Sequence, residues 1–191
     1  MRNRFKQAFV LWCSLLLLVT SYTNGTLAWL FDKTDPIVNT FTYGDINITL
    51  NETDDGDGDL LSNLYDMIPN TKIDKDPIVT VLKDSEDCYL YVELKESDNF
   101  DDFMTYEVAE GWTLLEGYEG IYYREVSKDV VSENDFEYAV LNGNAVFVKA
   151  EVTKQQLEVL TEDTYPTLKI KAYAIQKASM NNALEAWEII K

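Results

Sequence analysis

The densest run of chemistry-bearing side chains is Asp54-Asp55-Gly56-Asp57-Gly58-Asp59. Asp55, Asp57 and Asp59 alternate as oxygen donors, which is how a loop begins to wrap a calcium ion. A complete loop of that type needs Gly where this chain has Leu60, and a bidentate Glu at its twelfth position, where the chain has Asp66. The three aspartates are therefore weak calcium candidates, and a solvated acidic loop is the plainer reading. No other metal or cofactor is implied. Zinc peptidases take two His from one helix, and this chain contains no His. Cys88 and the serines consequently lack an imidazole to activate them. A glycosidase needs one marked pair of carboxylates, and nothing singles out a pair among 34 Asp and Glu. The glycines at 56, 58, 111, 117, 120 and 143 fit turns rather than a phosphate loop. The chain reads as a non-enzyme. Tyr89, Tyr91, Trp112, Tyr122 and Tyr123 offer either a stacking platform for a ligand such as a carbohydrate or ordinary sheet packing, the commoner use of aromatics.

Charge narrows the partners. With 16 Lys and Arg against 34 Asp and Glu, the 191 residues carry −18 at neutral pH. Nucleic acid is excluded as a partner, because its affinity rests on cations neutralising phosphates. An anionic membrane surface is excluded for the same reason. Such a surface keeps an extracellular protein soluble and makes copies repel until salt or divalent cations screen them.

Residues 1–28 read as a signal peptide, with a retained anchor as the alternative, although Ser14, Thr20 and Ser21 leave the apolar core short of the roughly 20 residues a span needs. Arg2, Arg4 and Lys6 precede Ala8-Phe9-Val10-Leu11-Trp12 and the run from Leu15 to Val19. Ala28, with Thr26 two places before it, supplies the small residues of a cleavage site. Cutting between Ala28 and Trp29 removes three basic side chains and takes the net charge from −18 to −21. It also removes Cys13 and leaves Cys88 alone, so no intramolecular disulfide is available. A signal peptidase is the expected partner during export, and no membrane association is expected after processing. The product is expected outside the cell, in the matrix or at the cell surface.

The cut creates an N-terminus of Trp29, Leu30 and Phe31. Each such side chain left in water forgoes about 1.5–3 kcal/mol. An unpaired sheet edge is the natural shelter. Residues 29–39 are therefore read as a donor strand and tether, with Trp29, Leu30 and Phe31 as the assembly strand. Residues 40–191 are read as one domain, long enough to bury a single core without staples.

Within that domain, short runs with period-two alternation dominate. They are 40–50 (with a bulge expected at Gly44), 77–82, 88–95, 120–127, 144–153 and 165–176. The polar cluster "KDSED" between the second and third suggests that they form a hairpin. Helical spacing occurs at 97–106 (Phe100, Phe103, Met104), at 153–160 behind a Thr cap, and at 181–190. There Leu184, Trp187 and Ile190 share a stripe behind Asn181 or Asn182. The fold class is all-β, an antiparallel β-sandwich with a few short helices, including a docked C-terminal helix.

Three blocks carry a family resemblance. "LAWLFDKTDPIVNTFTYGDINITLNET" is similar to the start of Gram-positive secreted proteins with a SipW-dependent type of signal peptide, the TasA and camelysin-like family. The matching residues are Trp29, Phe31, Asp32, Asn39, Phe41, Thr42, Gly44 and Leu50-Asn51-Glu52. "IPNTKIDKDPIVTVLKDSEDCYLYVEL" and "LKIKAYAIQ" with "ALEAWEII" resemble later stretches of the same pattern. Asn70 stands where the family has Gly, and "DDGDGD" is an insertion. The resemblance implies a jelly-roll-like sandwich and a biofilm-matrix fibre subunit, in which the N-terminal strand of one copy completes the sheet of the next. Partners would then be further copies or related matrix subunits. A monomeric cell-surface binding module is the alternative expectation. A camelysin-type peptidase, a label given to other members, ranks behind both because His is missing.

Overall fold

The computed structural model describes residues 31–33, 46–53, 63, 65–178 and 180–191. Eleven strands run through them: β1 Phe31–Lys33, β2 Ile48–Asn51, β3 Lys72–Asp74, β4 Ile78–Val81, β5 Cys88–Glu96, β6 Met104–Val108, β7 Thr113–Leu114, β8 Ile121–Val126, β9 Phe136–Ala139, β10 Leu141–Val148 and β11 Leu168–Gln176. Three short helices join them: α1 Phe100–Phe103, α2 Lys154–Glu158 and α3 Ala183–Ile190. All pairings are antiparallel. One sheet has the order β1-β11-β5-β8-β7, and two three-stranded sheets have the orders β3-β10-β6 and β2-β4-β9. The chain is an all-β sandwich with a C-terminal helix, as its alternation predicts.

The five-stranded sheet is covered on both faces, and this explains its sequence. Alternate residues of a strand point to opposite sides. On one side Leu90, Val92, Leu94, Ile170, Ala172 and Ala174 join Ile48, Leu50, Val79, Val81, Val146 and Val148 of the other two sheets in the main core. On the other side Tyr89, Tyr91, Tyr173 and Ile175 lie beneath Ala183, Ala186, Trp187 and Ile190 of α3. Two apolar faces make β5 read as an almost continuous hydrophobic run, "CYLYVEL".

Three local expectations need correction. First, β4 and β5 form no hairpin: β4 pairs with β2 and β9, whereas β5 pairs with β11 and β8. The "KDSED" segment instead carries the chain from one sheet to the next. Buried Ser85 fixes it by donating to Leu82 O at 2.7 Å and accepting from Asn47 N at 3.2 Å. Asp84 takes φ 64° there, a conformation Asp tolerates better than most residues. Second, helix 97–106 is only the single turn α1. From Met104 the chain is strand β6, whose Met104, Tyr106 and Val108 face inward at period two. Third, Leu184 of α3 is exposed, and the buried stripe is Ala183, Ala186, Trp187 and Ile190. That i, i+3, i+4, i+7 set uses two small residues to bring the helix close to the tyrosines. Asn182 caps α3 by accepting from Glu185 N, and Thr153 with Gln156 forms a capping box on α2, as their types predict.

Candidate functional site

The feature positioned for interaction is the outer edge of the five-stranded sheet. All nine residues of β11 pair with β5, from Leu168↔Glu96 to Gln176↔Cys88. On its far side β1 pairs with three of them: Phe31↔Ile175, Asp32↔Ala174 and Lys33↔Tyr173. Leu168, Lys169, Ile170 and Lys171 have no strand partner on that side among the described residues. The receiving segment is rigidly held. Ala174 and Ile175 are fully buried and Tyr173 nearly so. Tyr173 Oη donates to Glu93 Oε2 at 2.7 Å. Just beyond, Lys177 N donates to Asp87 O at 2.8 Å, and its ammonium pairs with Glu125. Such an edge accepts a strand through main-chain hydrogen bonds, with side chains alternating between the two covered faces.

Of the sequence-derived site residues, Phe31 falls in β1, where its backbone pairs with Ile175. The cleavage pair Ala28 and Trp29, together with Leu30, lies outside the described residues, as do Gly44 and the calcium candidates Asp55, Asp57 and Asp59. The stem of that acidic loop is described. Thr53 donates twice to Asp76, through its N–H at 2.9 Å and its hydroxyl at 2.6 Å. Tyr65 Oη donates to Glu52 Oε1 at 2.6 Å, and Lys75 Nζ grips the same carboxylate at 2.8 Å. Partial burial opposes the Asp76 charge, but the Thr53 donations and Lys75 outweigh it and hold the carboxyl below its ordinary range. Burial, then the Glu52 carboxylate, pushes the Tyr65 phenol well up. The stem is thus a closed network of satisfied pairs. Among the described residues no group of three or more Asp, Glu, Cys or His is placed to hold a metal.

Cys88 is fully buried, and burial with Asp87 beside it pushes its thiol up to about 12, which leaves it a protonated core residue. The five aromatics do not share a platform. Tyr89, Tyr91 and Tyr123 lie on the α3 side of the sheet, whereas Trp112 and Tyr122 belong to the main-core side. Trp112 is buried with its Nε1 donating to Ala139 O at 2.8 Å. Sequence reasoning passed over one residue that the fold sets apart, Arg124. It packs against Trp112 and Tyr138, whose rings reach it from the segments before and after β8. No helix among the described residues is long and apolar enough to cross a membrane. Comparison with models of known families, with curated proteins and with solved structures gives no match. Any functional reading therefore stands on these residues and their geometry.

Proposed function

We propose that the chain is an exported, non-enzymatic structural subunit of an extracellular matrix or fibre, assembling by exchange of its N-terminal strand. The observation that carries this reading is the position of Phe31–Lys33 as the last strand of the sheet, against Tyr173–Ile175. A strand at the end of a sheet, paired on one side only, is the element that costs least to trade between copies. Fourteen residues separate Lys33 from Ile48. At roughly 3.3 Å per residue, that length of chain can reach a neighbouring subunit. A donor that enters the next copy makes a head-to-tail contact that does not close on itself, and such contacts build filaments. The apolar Trp29 and Leu30 that precede Phe31 would gain the shelter the export reading requires.

The same pairing closed within one chain gives the competing reading, a monomeric cell-surface binding module. The pairing of β1 with its own β11 in the single chain favours it. Deleting residues 29–33 separates the two. The assembling subunit loses its large ordered species on size exclusion and becomes a folded monomer. A monomeric module elutes at one position with or without the segment, and that result would refute the assembly reading.

A further inference from the structure

Arg124 stands opposite Leu90 in the pairing of β8 with β5, so its side chain shares the main-core face. Its guanidinium carbon lies 4.0 Å from the centre of the Tyr138 ring and 5.2 Å from that of Trp112. Both rings are fixed. Trp112 and Tyr138 are buried, the Trp112 indole is tied to Ala139 O, and Tyr138 packs on Phe136 at 4.9 Å. The third wall is Gly111, at φ +86°, where a Cβ would come within 2.6 Å of Arg124 Nη2. Glycine at 111 therefore serves two needs, a left-handed backbone and room for the cationic head.

What the head lacks, among the described residues, is a counter-ion. The chain holds 34 acidic residues, and Arg124 is its sole arginine after Arg4. Lys72, Lys75, Lys128, Lys154, Lys177 and Lys191 each pair with a carboxylate. Among the described residues Arg124 has neither an ion-pair partner nor an acceptor for its side-chain N–H groups. Partial burial also disfavours its charge, and the neighbouring Tyr138 offsets that only in part. Stacking occupies the faces of a guanidinium, while its five N–H donors radiate in the plane. A fork held between rings, partly desolvated and empty-handed, matches a carboxylate bidentately. Its order is already imposed by the fold, so binding need not supply it.

We infer that Arg124, framed by Trp112, Tyr138 and Gly111, is a binding site for a carboxylate group. Acidic side chains of a second copy and those of a foreign acidic peptide are the two sources of that chemistry. The test follows the Arg124 Nε–Hε signal of the full chain by NMR, assigned by its disappearance in Arg124→Lys. Titration with the peptide acetyl-Glu-Asp-Glu-amide is expected to shift this signal and to change Trp112 fluorescence, with half-saturation weakened at least about tenfold in Arg124→Lys. A shift on raising protein concentration alone assigns the carboxylate to another copy, and a shift with peptide alone assigns it to a foreign segment. No shift in either series, or an equal shift with inorganic phosphate at the same concentration, overturns the assignment. Should Arg124→Lys fail to fold, the signal is assigned instead in a chain carrying Arg2→Lys and Arg4→Lys, where Arg124 is the one arginine, and the titration of that chain decides the matter.

Discussion

Tyr91 Oη donates to the carbonyl of Ala183 at 2.7 Å, joining the middle of the central strand to the first residue of the C-terminal helix. The bond is buried and spans 92 positions of sequence. It fixes α3 over Tyr173 and Ile175, the part of β11 against which β1 lies. The helix and the edge are thus one mechanical unit.

This bond predicts an alkaline limit to stability. Burial, then the neighbouring Tyr89 and Tyr123, raises the Tyr91 phenol far above its ordinary value. In the unfolded chain a tyrosine loses its proton near pH 10 (about 10 for the free side chain). The contribution is therefore whole below that pH and declines as pH rises beyond it. Tyr106, raised by burial and by its bond to Glu96, acts in the same direction. Cys88 begins to act near its unfolded value of about 8.5. Tyr91→Phe should lose about 0.5–1.5 kcal/mol at pH 7, the net worth of one hydrogen bond, because the Ala183 carbonyl keeps its helical bond from Trp187 N. Denaturant titrations at pH 7 and above pH 10 should find its stability less dependent on pH in that range than the parent's.

Trp187 anchors the same helix, 5.2 Å from the rings of both Tyr91 and Tyr173. Trp187→Ala is expected to cost about 3–5 kcal/mol, the range for removing a large buried aromatic. Among the described residues the indole Nε1 is buried without an acceptor, so Trp187→Phe loses packing volume but no hydrogen bond to them and should cost clearly less than Trp187→Ala. Equal losses for the two variants in urea unfolding would contradict this account of the outer core.

Much of this frame was legible. The runs at β5, β8, β10 and β11 show in their alternation, and α3 shows in its Asn cap and stripe. What was not legible depended on tertiary choices. Phe100, Phe103 and Met104 have helical spacing, but Met104, Tyr106 and Val108 also have strand spacing. Pairing with β10 decides for the strand. The "KDSED" cluster marks a turn, yet nothing local says whether the next strand folds back or changes sheet. Leu184 is apolar but points away, because the helix is seated by its alanines. At the edge, sequence supplied the apolar tip, whereas the partner strand and its register emerged only from the fold. Arg124 carried one clue, its isolation as the sole arginine after Arg4 in an acidic chain. Its companions Trp112 and Tyr138 could not be assigned to it without coordinates.

Gly120 provides a backbone test of the same sheet. Its φ is +73°, and a Cβ there would fall inside contact distance of the Leu94 carbonyl oxygen. Its own carbonyl accepts from Leu94 N at 2.8 Å. Gly120→Ala combines a left-handed penalty of about 1–2 kcal/mol with a clash against backbone that cannot rotate away. A loss of at least about 2 kcal/mol in the free energy of unfolding is expected, against little change for Gly117→Asn, where space is open and Asn tolerates positive φ.

The decisive measurement places the edge pairing in one chain or in two. Asp32 and Ala174 stand opposite each other in the β1–β11 register. In a Cys13→Ser background, chains carrying Asp32→Cys alone are mixed with chains carrying Ala174→Cys alone and oxidised under assembly conditions; Cys88, buried and protonated, does not compete. Strand exchange predicts a disulfide-linked pair containing one chain of each kind. Absence of that pair, with complete closure inside a single chain when both cysteines are carried together, would contradict it.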